Sequence, residues 1–278
     1  MKISFAGAML CGALAAAFAA APAARAQSQN AGPNMMQESN SMSDRLFAGT
    51  SDTEADRTQG SAYQNFLKER DLAKKIKLGN EFLQRYPKSP LAEQVDVGMM
   101  STYRAQQDWE NAYLWADHAL ALQPDDVDVL ATIGWTIPHV YSPKDADADQ
   151  QLDKAEAYAK HAIDVLAKLP KPATMNDAQF AAAKTKRSVQ AHSALGLVYF
   201  RRDDYDKSAK ELALATKDAT APDATDLFVL GVDLQNTRQF GDAAEAFGRC
   251  GEVAGPLQAQ CKQLAAQTKA QAEVSKPK

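Results

Sequence analysis

From residue 60 onward, apolar residues recur at steps of three and four, alanine is frequent, and β-branched runs are short. That spacing lays one apolar stripe along a helix and leaves the other faces polar. It predicts helices over 61–69, 71–86, 90–105, 108–122, 126–137, 149–168, 177–202, 205–218, 223–237, 240–253 and 256–272. The breaks have local causes. Tyr86-Pro87-Lys88-Ser89-Pro90 stops one helix and starts the next, because proline lacks the amide proton that a helix interior requires. Gln123-Pro124-Asp125-Asp126, Pro222-Asp223 and Gly255-Pro256 do the same further on. No alternating pattern bounded by hairpin turns occurs, so an all-α fold is expected.

The helices repeat in pairs. Leu195-Gly196-x-x-Tyr199 returns as Leu230-Gly231-x-x-Leu234. The same shift takes Tyr205 to Phe240, Ser208 to Ala243, Leu212 to Phe247 and Ala215 to Cys250. A third copy reads Met99-Met100-x-x-Tyr103, Trp109, Ala112, Ala116 and Ala119, ending at Pro124. A fourth begins Ile133-Gly134-x-x-Ile137 and resumes at Leu152, Ala155, Ala159 and Ala162, with an insertion between its two helices. Small residues let two backbones cross closely while aromatic and leucine side chains fill the space alongside. One pair cannot bury its apolar face alone, but stacked pairs can.

This small–large pattern resembles the tetratricopeptide repeat family. It falls on Gly196, Tyr199, Ser208, Leu212 and Ala215, again on Gly231, Leu234, Ala243, Phe247 and Cys250, and in the earlier copy on Tyr103, Ala112, Ala119 and Pro124. The likeness covers roughly 90–255, with a degenerate copy at 60–88. It implies a right-handed α-solenoid of stacked antiparallel helix pairs over 59–273, closed by a capping helix at 256–272, with a disordered tail at 274–278. It also implies a protein or peptide partner bound on the concave face lined by the first helix of each pair. Carried over residue by residue, that face holds Arg104, Trp135, Leu197, Phe200, Arg201, Phe228, Val232 and Gln235. The Lys/Asn clamp that some members use for a C-terminal carboxylate is missing, so an apolar helix or an extended segment suits the groove better. Phe82-Leu83-Gln84-Arg85-Tyr86-Pro87-Lys88-Ser89 is similar to repeats of envelope-assembly proteins, a shorter likeness.

Outside the repeats, Lys2, the apolar run Ile3–Ala20 and Ala24-Arg25-Ala26 have the order of a cleaved export signal, residues 1–26. The mature chain is then expected to be exported, periplasmic or secreted, with no membrane span left, since no other stretch has the roughly 20 apolar residues that crossing a bilayer needs. Residues 27–58 are rich in Gln, Asn, Ser, Asp and Met, and are expected to be a flexible segment. Cleavage removes two of 31 basic residues and none of 35 acidic ones, moving the net charge from −4 to −6. An acidic chain without a basic run argues against a nucleic-acid partner. Of three cysteines, Cys250 and Cys261 remain. An even count in an exported chain suggests a disulfide tying the cap to the last repeat, although Cys250 also suits a small core position.

No catalytic constellation emerges, so the chain is expected not to be an enzyme and to carry no cofactor and no metal. His118, His139, His161 and His192 form no metal-ligand spacing. Asp145, Asp147, Asp149, Asp153 and Glu156 partly match a calcium loop, but Gln150 stands where the turn needs glycine and Ser142-Pro143 blocks an entering helix. Acids at a helix start explain them as well, since they complement its dipole. The expected function is a scaffold binding a protein or peptide; the alternative is an adaptor in envelope, outer-membrane or secretion-complex assembly.

Overall fold

The computed structural model describes residues 54–217, 219 and 221–275. Among them are eleven helices and no strand: α1 Glu54–Lys68, α2 Leu72–Arg85, α3 Ala92–Ala105, α4 Trp109–Leu122, α5 Val127–Val140, α6 Ala148–Lys168, α7 Asp177–Arg201, α8 Tyr205–Lys217, α9 Ala224–Asn236, α10 Phe240–Glu252 and α11 Gln258–Val274. The expected signal segment 1–26, most of the segment expected to be flexible and the last three residues lie outside this description. α1 begins at Glu54, inside the stretch whose composition reads as flexible. Its anchors are the fully buried Tyr63 and Phe66, and a helix nucleated by packed residues propagates readily into polar sequence beside it.

Caps set the helix starts. Asp71, Asp108, Asp126 and Asp223 each accept a backbone amide of the first turn, and Asn176 with Gln179 forms a reciprocal capping box. The turns within pairs repeat too. Gln107, Asp203 and Arg238 all adopt left-handed backbone, with φ of 60°, 58° and 61°. The following amides of Asp108, Asp204 and Gln239 donate back to the carbonyls of Tyr103, Tyr199 and Leu234. The α5/α6 pair lacks this turn, because its connection carries the insertion. There α5 runs through Pro138 to Val140, further than the pattern predicts.

The pairs are α1/α2, α3/α4, α5/α6, α7/α8 and α9/α10, each helix packing on its sequence neighbour, with α11 against α10. Glycines mark the closest approaches. A Cβ on Gly134 would meet the backbone of Ala155 and Ala159 at 3.3–3.4 Å. One on Gly231 would lie 2.6 Å from the Phe247 ring. Ala112, Ala116, Ala119, Ala155, Ala159, Ala162, Ala215 and Ala243 are buried, and Phe82, Phe228 and Phe247 fill the space between crossings. Burying one such ring contributes roughly 2–3 kcal/mol. Cys250 and Cys261 are fully buried and lie at disulfide distance, with Cα atoms 5.7 Å apart, joining α10 to α11.

Candidate functional site

The residues expected on the inner stripe fall into two sets. Leu197, Phe228 and Val232 are 3%, 2% and 7% exposed, packed among neighbouring helices. Gln235 donates through Nε2 to Thr268 Oγ1 of α11, at 2.5 Å, and so helps seat the cap. Arg104, Trp135, Phe200 and Arg201 are only half-buried and reach the surface of α3, α5 and α7.

α5 ends in an aromatic and cationic cluster. The Trp135 and His139 rings sit 3.8 Å apart, and His139 Nδ1 lies 2.7 Å from the Trp135 carbonyl oxygen. Burial lowers the His139 pKa, so the ring is neutral and its Nδ1–H donates to that carbonyl. Pro138 lies in the last turn of α5, whose carbonyls have no helical partner. Arg201 Nη2 donates to the Pro138 oxygen at 3.4 Å, and its guanidinium lies over the Tyr141 ring, 5.4 Å from the centroid. A cation at a helix C-terminus is favoured by the dipole, so Arg201 closes α5 as well as facing outward. Arg104 differs. Burial lowers the pKa of its guanidinium, and among the described residues no hydrogen bond or ion pair engages it. A partly desolvated cation without a counter-charge is costly, and an acceptor brought by a partner would relieve that cost.

The five acids that suggested a calcium loop are otherwise employed or spread out. Glu156 on α6 accepts from Lys160 at 2.6 Å, Tyr199 at 3.0 Å and Arg202 at 2.5 Å, and Arg202 also engages Asp153. Burial pulls Glu156 upward, but these donors outweigh it and hold the carboxyl below its ordinary range. Asp147 accepts from Gln151 at 2.7 Å. Among the described residues no group of three or more His, Cys, Asp or Glu side chains is placed to hold a metal ion. Two depressions open to solvent, one lined by Arg202, Asp203, Tyr205 and Asn236, where the Tyr205 hydroxyl donates to Asp203 at 2.8 Å, and the other by Phe240, Ala270 and Val274.

Sequence reasoning missed the polar groups buried between pairs. Asp233 and Ser208 are fully buried, with Ser208 Oγ 2.5 Å from Asp233 Oδ2 and 2.8 Å from the Gly196 carbonyl oxygen. One hydroxyl has one proton, and a carbonyl can only accept. Ser208 therefore donates to Gly196, and a protonated Asp233 donates to Ser208. Burial agrees, pushing the Asp233 carboxyl up to about 8. Asp226, 2% exposed, accepts from Ser193 Oγ at 2.8 Å, and burial raises it to about 7. The available signal was two acids inside the otherwise apolar run Leu227–Asp233 and its flank, at positions where the sister copy has Ala191 and Val198.

What this geometry defines is a stack of tetratricopeptide-like helix pairs with a polar seam between pairs. No protein-family model and no curated protein matches the chain. Eighteen chains of solved structures do. One is PilW, a type IV pilus biogenesis factor, at 14% identity, TM-score 0.48, covering 81% of this chain and 94% of that one. Another is BtubC from P. vanneervenii, at 16% identity and TM-score 0.47, covering 87% and 91%. A third is a tetratricopeptide repeat protein from Parabacteroides merdae, at 14% identity and TM-score 0.37, covering 77% and 90%. These are similarities to helical-repeat proteins; the fold assignment here rests on the helix pairing and crossing residues themselves.

Proposed function

We propose that this chain is a non-catalytic, exported scaffold that binds a protein or peptide on the face formed by the first helices of its pairs. The observation that carries the reading is the half-buried set Arg104, Trp135, Phe200 and Arg201 on α3, α5 and α7, with the Arg104 guanidinium left without a partner. Aromatic rings and guanidinium groups supply much of the binding energy at protein interfaces. Leu197, Phe228, Val232 and Gln235 support that face from behind. Export is supported by the leader-like residues 1–26 and by the Cys250–Cys261 pair at disulfide distance. No helix among the described residues is long and apolar enough to cross a membrane.

A photo-crosslinking residue at Phe200 should capture a partner from the native compartment. One at Leu114, 48% exposed on α4, should not. Trp135→Ala combined with Arg104→Glu should abolish the capture. Equal capture from both positions, insensitive to that double change, would remove the proposed face. The adaptor reading, motivated by residues 82–89, requires outer-membrane barrels or secretion components among the captured proteins; soluble partners alone would count against it.

A further inference from the structure

The shift that takes Gly196 to Gly231 also takes Asp226 to Cys261 and Asp233 to Thr268. Asp226 and Asp233 are the side chains through which α9 bonds the pair before it, at Ser193 and Ser208. Cys261 and Thr268 play that part for α11. Cys261 lies at disulfide distance from Cys250 of α10, and Thr268 Oγ1 accepts from Gln235 Nε2 of α9. α11 therefore sits on α9/α10 in the register of the first helix of a further pair, with a cysteine pair where the earlier joint has a buried acid and a hydroxyl.

The two seats differ in what else holds them. α9 buries Leu227, Phe228, Val229, Leu230 and Val232 beside its acids. α11 buries Cys261 and Thr268, and its Leu264 stays half-buried. α11 runs close to α10 where small residues meet: a Cβ on Gly251 would lie 3.3 Å from the Lys262 amide nitrogen. Close backbones without interlocked apolar side chains hold a helix weakly, because most helical stability in a protein comes from the packing of an apolar face. The start of α11 has no side-chain cap, and Ala254, Gly255 and Pro256 before it are exposed. Opening of that loop gives a small reductant a path to the buried sulfurs.

We propose that the Cys250–Cys261 pair is a redox latch on the cap: oxidised, it keeps α11 seated, and its reduction releases α11 while the repeats below stay folded. In that step a dithiol supplies two electrons and two protons. One of its sulfurs attacks the Cys250–Cys261 bond as a thiolate, the other displaces the mixed disulfide, and the products are two protein thiols and the dithiol's own closed disulfide. The effect stays local, because each unit of a stack touches only its neighbour. The pair closes a short loop, and its loss should favour opening of α11 about 100-fold. Departure of α11 uncovers Cys250 and Gly251 and frees Gln235 from Thr268. If the proposed partner face is correct, Gln235 then rejoins it; that consequence rests on the proposed function, whereas the latch does not.

Amide hydrogen exchange of the full chain, with and without dithiothreitol and with no partner present, reads the latch. A gain of two hydrogens in mass, measured before labelling, certifies the two thiols. The amides of α11 should then exchange about 100-fold faster, while those of α7, α8 and α9 keep their rates. Cys250→Ala/Cys261→Ala should show the released pattern without reductant and ignore dithiothreitol. Should that variant fail to fold, the parent chain in reductant decides alone. Thr268→Val, which removes the hydrogen bond and keeps the latch, should leave α11 protected until reductant is added. Unchanged exchange of α11 once the thiols are free, acceleration spread evenly over α7 to α11, or an α11 already released in oxidised Thr268→Val would each overturn the latch. So would a pair that resists dithiothreitol at neutral pH, since α11 would then never open to admit it.

Discussion

Two joints of one stack are held together by different physics. Between α7/α8 and α9/α10 the backbones come close, and the Ser208–Asp233 and Ser193–Asp226 hydrogen bonds are buried between helices. Between α3/α4 and α5/α6 the backbones stand further apart; Met100, Ala116, Ala119, Val129 and Ile133 form a buried apolar cluster across the joint, and Tyr158, Lys154 and His161 bridge its edge. The first joint relies on close packing, which neither salt nor solvent reaches. The second adds to its apolar cluster an edge of side chains that are partly wet, and bonds of that kind are individually weak and screened. A repeat protein is held by the sum of such nearest-neighbour contacts, so its weakest joint is where it flexes first.

Deleting a ring from the interior of the α9/α10 pair that borders the tight joint should have the largest effect. Phe247→Ala leaves a void beside Gly231 and Phe228, whose ring centroid lies 6.0 Å from that of Phe247. The expected cost is about 3–5 kcal/mol, read as a fall in the denaturation midpoint. A loss below about 1 kcal/mol would mean that the pair collapses around the void and is not close-packed.

Titration separates the joints next. Asp226 and Asp233 have folded pKa values of about 7 and about 8, above the ordinary carboxylate range. Above the unfolded carboxylate pKa of roughly 4, the unfolded chain gives up these protons while the folded chain keeps them, so stability falls as pH rises. Their contribution is fully present below that value and lost as pH passes through the folded values. Asp233→Asn keeps an N–H to donate to Ser208 and cannot ionise. It should match the parent near pH 4 and surpass it near pH 9, flattening the dependence of the denaturation midpoint on pH. An unchanged slope would place the buried proton elsewhere.

How much of this was legible in sequence follows from what each signal measures. Helix positions came through within a few residues except the start of α1, expected at 61 and found at Glu54, because apolar periodicity and proline breaks act locally and the polar stretch before Tyr63 carries neither. The pairing came through because Gly196 and Gly231 mark crossings that only a residue without a side chain permits. The inner stripe was harder. Leu197, Phe228 and Val232 share a helical face with Phe200 and Gln235, but whether a residue on that face is covered depends on how the next pair leans over it, a distance no periodicity encodes. The polar seam was hardest. Ser208 and Asp233 are 25 positions apart, each with an ordinary surface explanation, and only the stack sets them against each other.

The smallest predicted effect tests the loose joint most directly. Tyr158→Phe removes one hydroxyl donor to Asp117 and leaves the ring in its half-buried place. Lys154 still holds that carboxylate at 2.6 Å, so no buried charge is orphaned, and the cost should be about 1 kcal/mol. The stronger test is how the loss combines with its neighbour. Tyr158 and Lys154 grip the same side chain, so in the double variant Tyr158→Phe/Lys154→Met the two costs should fail to add, whereas Tyr158→Phe in the joint and Phe247→Ala inside the α9/α10 pair should add within about 0.5 kcal/mol. The penalty of Tyr158→Phe should also shrink in high salt while that of Phe247→Ala does not, because only the wet, charge-assisted bridge is screened. Equal salt dependence in the two variants would erase the distinction between packed rings inside a pair and the polar arms at the edge of a joint.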